Sequence, residues 1–269
     1  MSNAYVQGYD PRESERLADQ AGTLVELLHF DTSYPAGSTV LEAGCGVGAQ
    51  TVTLAQRSPG ACFTSIDVSA ESLAEAERKA DEAGLTNVEF RQADIFDLGA
   101  KSFDHVFVCF VLEHLARPVE ALTILKRLLR PGGTITVIEG DHGSAYFHPA
   151  SHAADAAIRC LVDLQHKAGG DSLIGRQVYP LLVEAGFHDV RVSPRMVYVD
   201  SSRPELVDGF TLKTFTAMVE GVRRPAIAAG LIDPERFDVG VRDLRRTAEA
   251  DGTFAYTFFK GVGEADRVS

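Results

Sequence analysis

The chain has 269 residues, 45% of them hydrophobic, and a formal charge of −12. That suits one large domain, or one domain with an insertion, around a sizeable core. An acidic surface without a Lys/Arg cluster argues against a nucleic-acid partner, no apolar run approaches the roughly 20 residues needed to cross a bilayer, and the polar N-terminus lacks a signal-peptide core.

Four scattered cysteines (Cys45, Cys62, Cys109, Cys160) form no C-x-x-C pair. Cys62 and Cys109 fall in expected strands and read as buried, reduced residues, which suits a cytoplasmic protein better than a secreted disulfide framework.

In chain order, Leu17, Leu24, Leu27 and Leu28 recur near helical spacing and predict an amphipathic helix over 10–30. A short apolar strand over 39–43 then runs into Gly44, Gly46 and Gly48, and 49–57 reads as a helix. Strands are expected at 62–67, 87–92, 103–110 and 134–139, and helices at 70–84 and over a stretch opened by Pro118 and closed by Arg130-Pro131-Gly132-Gly133. Strict alternation of strand and helix implies a parallel sheet with right-handed crossovers. After 139 the alternation fails. Residues 140–153 read as a polar and aromatic loop, 154–168 and 175–186 as helices, 187–199 as a strand, 204–250 as helical and 254–260 as an aromatic strand.

The stretch Val40 to Gly48 organises the rest. A strand that feeds a helix through glycines brings bare backbone and a positive helix N-terminus to a ligand, and so indicates a nucleotide-like cofactor. Gly44, Gly46 and Ala49 also satisfy the dinucleotide fingerprint, so a nicotinamide-dependent oxidoreductase stays open on the glycines alone. Glu42 stands where a dinucleotide site usually has an apolar residue. Asp67 ends the second strand about 20 residues on, where a carboxylate accepts ribose hydroxyls; capping of the next helix is its other reading. Gly44, Asp67, Asp94, Phe110 and Asp141 all fall at carboxyl ends of strands, the rim where such sheets bind ligands.

Together these residues resemble the class I S-adenosylmethionine-dependent methyltransferases. Val40-Leu41-Glu42-Ala43-Gly44-Cys45-Gly46-Val47-Gly48 looks like the family's first motif. Asp67, Ala93-Asp94-Ile95, Phe103-Asp104 through Glu113-His114-Leu115, and Leu129-Arg130-Pro131-Gly132-Gly133 match its later motifs in order. The resemblance implies an α/β, Rossmann-like seven-stranded sheet with helices on both faces and an antiparallel last strand. An N-terminal helical cap (1–33) and a helical lid insertion (200–251) would flank a core of 34–199 and 252–263. It implies S-adenosyl-L-methionine as cofactor, with S-adenosyl-L-homocysteine as product. Tyr9 and Gln20 resemble positions of small-molecule members, where a Gln meets the methionine carboxylate. Glycine-loop N–H groups would meet that same carboxylate, Asp67 the ribose and Asp94 the adenine amino group, with Ile95 packed on the ring and the Phe110 carbonyl toward the ammonium. Glu42, Cys45, Val68, Val111 and His114 complete the expected cofactor set.

Methyl transfer is an in-line displacement, in which orientation alone supplies roughly 7–11 kcal/mol. A nucleophile that must lose a proton also needs a base, and His142, with Asp141 beside it, is the candidate. A metal read from Asp141, His142, His148 and His152 matches no compact motif. Tyr146, Phe147, Tyr179, Phe210, Phe215 and Met218 are candidates for an apolar wall around a small-molecule acceptor. The insertion is also a candidate homodimer surface. The competing functions are the oxidoreductase and a non-catalytic cofactor-binding module.

Overall fold

A computed structural model describes residues 24–99 and 102–267. The expected cap helix is described over 24–29, and Tyr9 and Gln20 lie outside the described residues. Seven strands form one sheet: β1 (Thr39–Ala43), β2 (Cys62–Asp67), β3 (Val88–Gln92), β4 (Phe103–Cys109), β5 (Leu129–His148), β6 (His188–Asp200) and β7 (Thr253–Glu264). Their spatial order is β3-β2-β1-β4-β5-β7-β6. The first five pair in parallel, and β7 runs antiparallel to both β5 and β6.

Apolar residues on both sheet faces draw helices to each. Against one face pack the 24–29 turn, Ala49–Arg57, His152–Lys167 and the insertion, burying Leu28, Leu54, Leu161 and Phe237 with Phe107 and Ile138. Against the other pack Pro118–Arg127 and Val178–Glu184, burying Leu122, Leu125 and Leu182 with Val106 and Val137. Pro118 opens its helix, as its missing N–H and fixed φ favour.

Three expectations need correction. Residues 140–148 are not a loop: β5 runs on to His148, and Asp141, Tyr146 and Phe147 pair with Thr257, Ala255 and Phe254 of β7. The polar sequence Gly-Asp-His-Gly-Ser-Ala hid a strand whose partner lies more than 100 residues on. Cys62 is exposed, because it is the first residue of β2, at the amino end of the strand, whereas Cys109 is buried. Of 175–186, Ile174–Gln177 is a 3-10 turn and Val178–Glu184 the helix.

The insertion is helical, as expected. It contains Pro204–Leu206, a π-helical stretch Val207–Thr216, then Ala217–Gly221, Arg223–Ala228 and Pro234–Arg246. It packs on His152–Lys167 and sets Phe210 and Phe215 on the aromatic face of β7, with ring centroids 4.8 Å apart for Phe215 and Phe254. Among the described residues no helix is long and apolar enough to cross a membrane.

Candidate active site

The carboxyl ends of β1, β2, β4 and β5 converge on one rim. Gly44 and Gly46 leave β1 with φ of 80° and 52°, in the region that favours glycine. A Cβ on Gly44 would meet Val111 Cγ2 at 2.5 Å, whereas one on Gly46 would meet nothing within 4 Å. Gly46 therefore borders open space, and Gly44 lets the β4 corner close on the loop.

The amides of this loop are engaged within the chain. Gly44 and Cys45 N–H donate to the Ile66 carbonyl at 2.8 and 2.9 Å, Gly48 N–H to the Cys45 carbonyl, and Gly46 N–H to Asp67 Oδ2 at 2.8 Å. This corrects the expectation that these N–H groups meet the cofactor's carboxylate: they shape the loop instead. Cys45 itself is buried, its thiol against the Gly46 carbonyl. Asp67 also accepts from Ser69 N–H at 2.9 Å. It thus braces the loop and the next helix turn, and each half-buried carboxylate oxygen keeps a lone pair for a ribose hydroxyl. Val68 beside it is 53% exposed, an apolar surface turned outward at the rim. Asp94 accepts from Phe96 N–H at 2.9 Å and caps the short turn in which Ile95 is buried.

Glu42 is buried, accepting from Thr51 Oγ1 at 2.7 Å and Ser65 Oγ at 2.6 Å. Burial pushes its carboxyl up to about 6 despite those donors. It ties β1 to the following helix and to β2, which places it under the loop as a brace.

β4 ends at Cys109, and Phe110 turns out of the strand with a φ of 57°. Its N–H donates to the Ile138 carbonyl at 2.9 Å, and its ring lies 5.5 Å from that of Phe258. Val111, Leu112 and His114 follow in a single turn, with His114 Nε2 3.6 Å from Glu113 Oε1. Glu139, fully buried at the end of the apolar part of β5, accepts from Val111 N–H at 3.0 Å and Leu112 N–H at 2.8 Å.

β5 alternation sends Asp141 and His142 to opposite faces. Asp141 is gripped by Arg176 at 2.7 and 2.8 Å. His142 is buried on the insertion side, its Nδ1 2.7 Å from Tyr256 Oη and its ring 6.2 Å from Phe215. The two candidates therefore do not act on one point: Asp141 locks the strand to the 174–177 turn, and His142 faces the aromatic interior. Burial raises the Tyr256 phenol well above its usual range, so it stays protonated and bonds His142 as a neutral hydroxyl. Of the expected wall, Phe210, Phe215 and Met218 are buried, but Tyr146 and Tyr179 are exposed. His152 lies fully in solvent, away from a shared metal position with Asp141. Among the described residues, the one group whose metal-ligating atoms gather within 4.8 Å is His188, Asp189 and Glu264, at the far margin of the sheet.

Tyr256, Glu139 and Arg176 were not among the expected site residues. Tyr256 had a signal, the period of two in Phe254, Tyr256 and Phe258, but its partner lies 114 residues away.

The rim fits the expected cofactor. Gly46 and Val68 border open space, and Asp67 offers acceptors for a ribose.

Comparison with known proteins agrees. A family model described as "Methyltransferase domain" matches residues 35–186, more than half of the chain. An uncharacterised 37.1 kDa protein in transposon TN4556 of Streptomyces fradiae is 32% identical over 196 residues, 72% of this chain and 56% of that one. The trans-aconitate 2-methyltransferase of Deinococcus radiodurans is 30% identical over 232 residues, 84% of this chain and 79% of that one. The chain spans about half the length of the first curated relatives it matches. A phosphoethanolamine N-methyltransferase 2 of Haemonchus contortus, solved with phosphomonomethylethanolamine and S-adenosylhomocysteine, superposes with a TM-score of 0.55 at 15% identity, covering 92% of this chain and 52% of that one; this likeness shows the fold. The dinucleotide reading of Gly44, Gly46 and Ala49 gives way to these findings. With its first motif on a glycine shelf and its later motifs along the same rim, the chain belongs to the methyltransferase domain family.

Proposed function

We propose that the chain transfers a methyl group from S-adenosylmethionine to an N, O or C nucleophile of a small molecule held between the rim and the helical insertion. The observation that carries this is the open space at Gly46 beside the Asp67 carboxylate, on the same rim as His142. S-adenosylmethionine supplies an electrophilic methyl group when bound. Asp67 would hold its ribose, Asp94 and Ile95 its adenine end with Val68 against the ring, and the Phe110 corner its amino-acid end.

His142 is the general base of this reading. With Nδ1–H donating to Tyr256 Oη, Nε2 is the atom that takes the acceptor's proton; this tautomer is assigned from the role, not seen. Tyr256 fixes the ring, and Phe210, Phe215 and Met218 form the apolar wall that excludes water. The insertion is the lid of this site, and its outer surface is the homodimer surface in the same reading. The Deinococcus relative's named substrate supports a small-molecule acceptor, and free cysteines at positions 45, 62, 109 and 160 support a cytoplasmic setting.

Thermal unfolding tests the cofactor half. At 100 times its dissociation constant, a ligand adds about 2.7 kcal/mol to stability. S-adenosylmethionine and S-adenosylhomocysteine are expected to raise the midpoint and NAD to leave it unchanged. Methyl transfer to members of a small-molecule panel, followed by S-adenosylhomocysteine release, tests the other half. Binding without turnover across the panel would leave the cofactor-binding module as the function.

A further inference from the structure

Three observations meet at the corner where the chain leaves β4. Phe110 adopts a φ of 57°, a left-handed conformation that is unfavourable for a residue with a side chain and persists where its surroundings impose it. The two residues that follow, Val111 and Leu112, both donate their backbone N–H to Glu139 Oε1, at 3.0 and 2.8 Å. The Val111 side chain packs directly on Gly44, where a Cβ would come within 2.5 Å of it. A buried carboxylate from the neighbouring strand thus holds the corner, and the corner holds one wall of the glycine loop. Burial and the nearby Glu113 raise the Glu139 carboxyl well above its usual range, while the backbone N–H groups pull the other way.

We propose that Glu139 is a positioning residue for the cofactor: it fixes the Phe110–Leu112 corner in its left-handed turn and, through Val111, sets the Gly44 side of the binding shelf. What matters is an acceptor oxygen at the reach of a glutamate side chain. A glutamine keeps that oxygen in place. An aspartate keeps the carboxyl group but withdraws the oxygen from both amides. An alanine removes it.

The test measures S-adenosylhomocysteine affinity by titration calorimetry on the full chain and on Glu139→Gln, Glu139→Asp, Glu139→Ala and Val137→Ala. Val137 is buried in the same strand and on the same face, two residues before Glu139, but takes no part in the hydrogen bonds that hold the corner. Glu139→Asp and Glu139→Ala are each expected to weaken binding about tenfold or more, and Glu139→Gln to stay within about threefold, as two lost hydrogen bonds against none imply. Val137→Ala is expected to lower the unfolding midpoint and leave affinity within about threefold. If Glu139→Ala does not unfold cooperatively, the contrast between aspartate and glutamine decides. Wild-type affinity in Glu139→Asp, an equal loss in Glu139→Gln, or an equal loss in Val137→Ala overturns the proposal. The inference rests on the family's cofactor; were that wrong, the unmutated chain would itself fail to bind, a separate result.

Discussion

His142 and Glu42 show how burial turns ordinary residue types into specific ones. His142 is set by a strand that faces it inward, by Tyr256 at 2.7 Å, and by its own N–H on the Ser172 carbonyl at 2.9 Å. His142→Ala is expected to lower turnover about 100-fold, the usual share of a positioned base, while S-adenosylhomocysteine affinity stays unchanged. Full turnover in that variant would discard it as the base. Glu42 carries a pH signature. Its carboxyl sits at about 6 in the fold against 4.5 for an ordinary glutamate, so the folded chain holds this proton to higher pH than the unfolded chain. The associated stability is full below 4.5 and declines as pH rises through 6. Glu42→Gln keeps an acceptor for Thr51 and Ser65 and removes the charge. It should gain up to about 2 kcal/mol over the parent at pH 8 and close to nothing at pH 4, read from denaturant midpoints. A gain independent of pH would show that ionisation is not the cause.

Among elements, the segment that leads out of the 24–29 turn is held by charges as well as by Tyr34 packed on the core. Asp31 accepts from Lys260 Nζ at 2.7 Å and Arg195 Nη2 at 2.6 Å, and Arg195 stacks over Phe30 at 4.3 Å. Lys260 and Arg195 are buried in β7 and β6, so one half-exposed carboxylate offsets two interior cations. Asp31→Ala leaves both without it and is expected to cost about 3 kcal/mol at pH 7. Burial already lowers the Lys260 ammonium below its usual range. The unfolded chain therefore binds this proton more readily, and part of the loss should return as pH rises toward 10.5, the ordinary lysine value. Urea unfolding at two pH values reads both effects; equal loss at each would place the cost elsewhere. His29 reinforces the same joint: its Nε2 meets Gln50 Oε1 at 2.6 Å, and burial brings its pKa down to about 4, so it works as a neutral ring.

For the whole molecule, the question is what couples the insertion to the sheet. Phe215 is fully buried, with centroids 4.8 Å from Phe254, 5.5 Å from Tyr256 and 6.2 Å from His142. It is the contact through which the helical layer closes on His142. Phe215→Ala should destabilise the fold by about 3–5 kcal/mol and raise the KM of the acceptor more than that of the cofactor. Unchanged acceptor KM in a folded variant would separate the insertion from the acceptor site. This architecture also explains the extended β5. Residues 140–148 continue the strand because β7 returns from the insertion to pair with them, so the strand end, the insertion and His142 form one packing unit.

Local chemistry was enough to read Val40 to Gly48, the run of later motifs and the parallel half of the sheet. Each depends on near neighbours: glycines where φ is positive, apolar runs of strand length and Pro118 at a helix start. The same holds for the helical character of 204–250. Tertiary structure decided what depends on partners far apart in the chain. It made a strand of 140–148 by supplying β7, and sent Asp141 and His142 to opposite faces. It turned the loop amides inward onto Ile66 and Asp67, and set Glu139 on the Val111 and Leu112 amides. A hydrogen bond or a buried charge is a relation between two residues, and one-dimensional pattern records a residue's own preferences but not the partner that satisfies it.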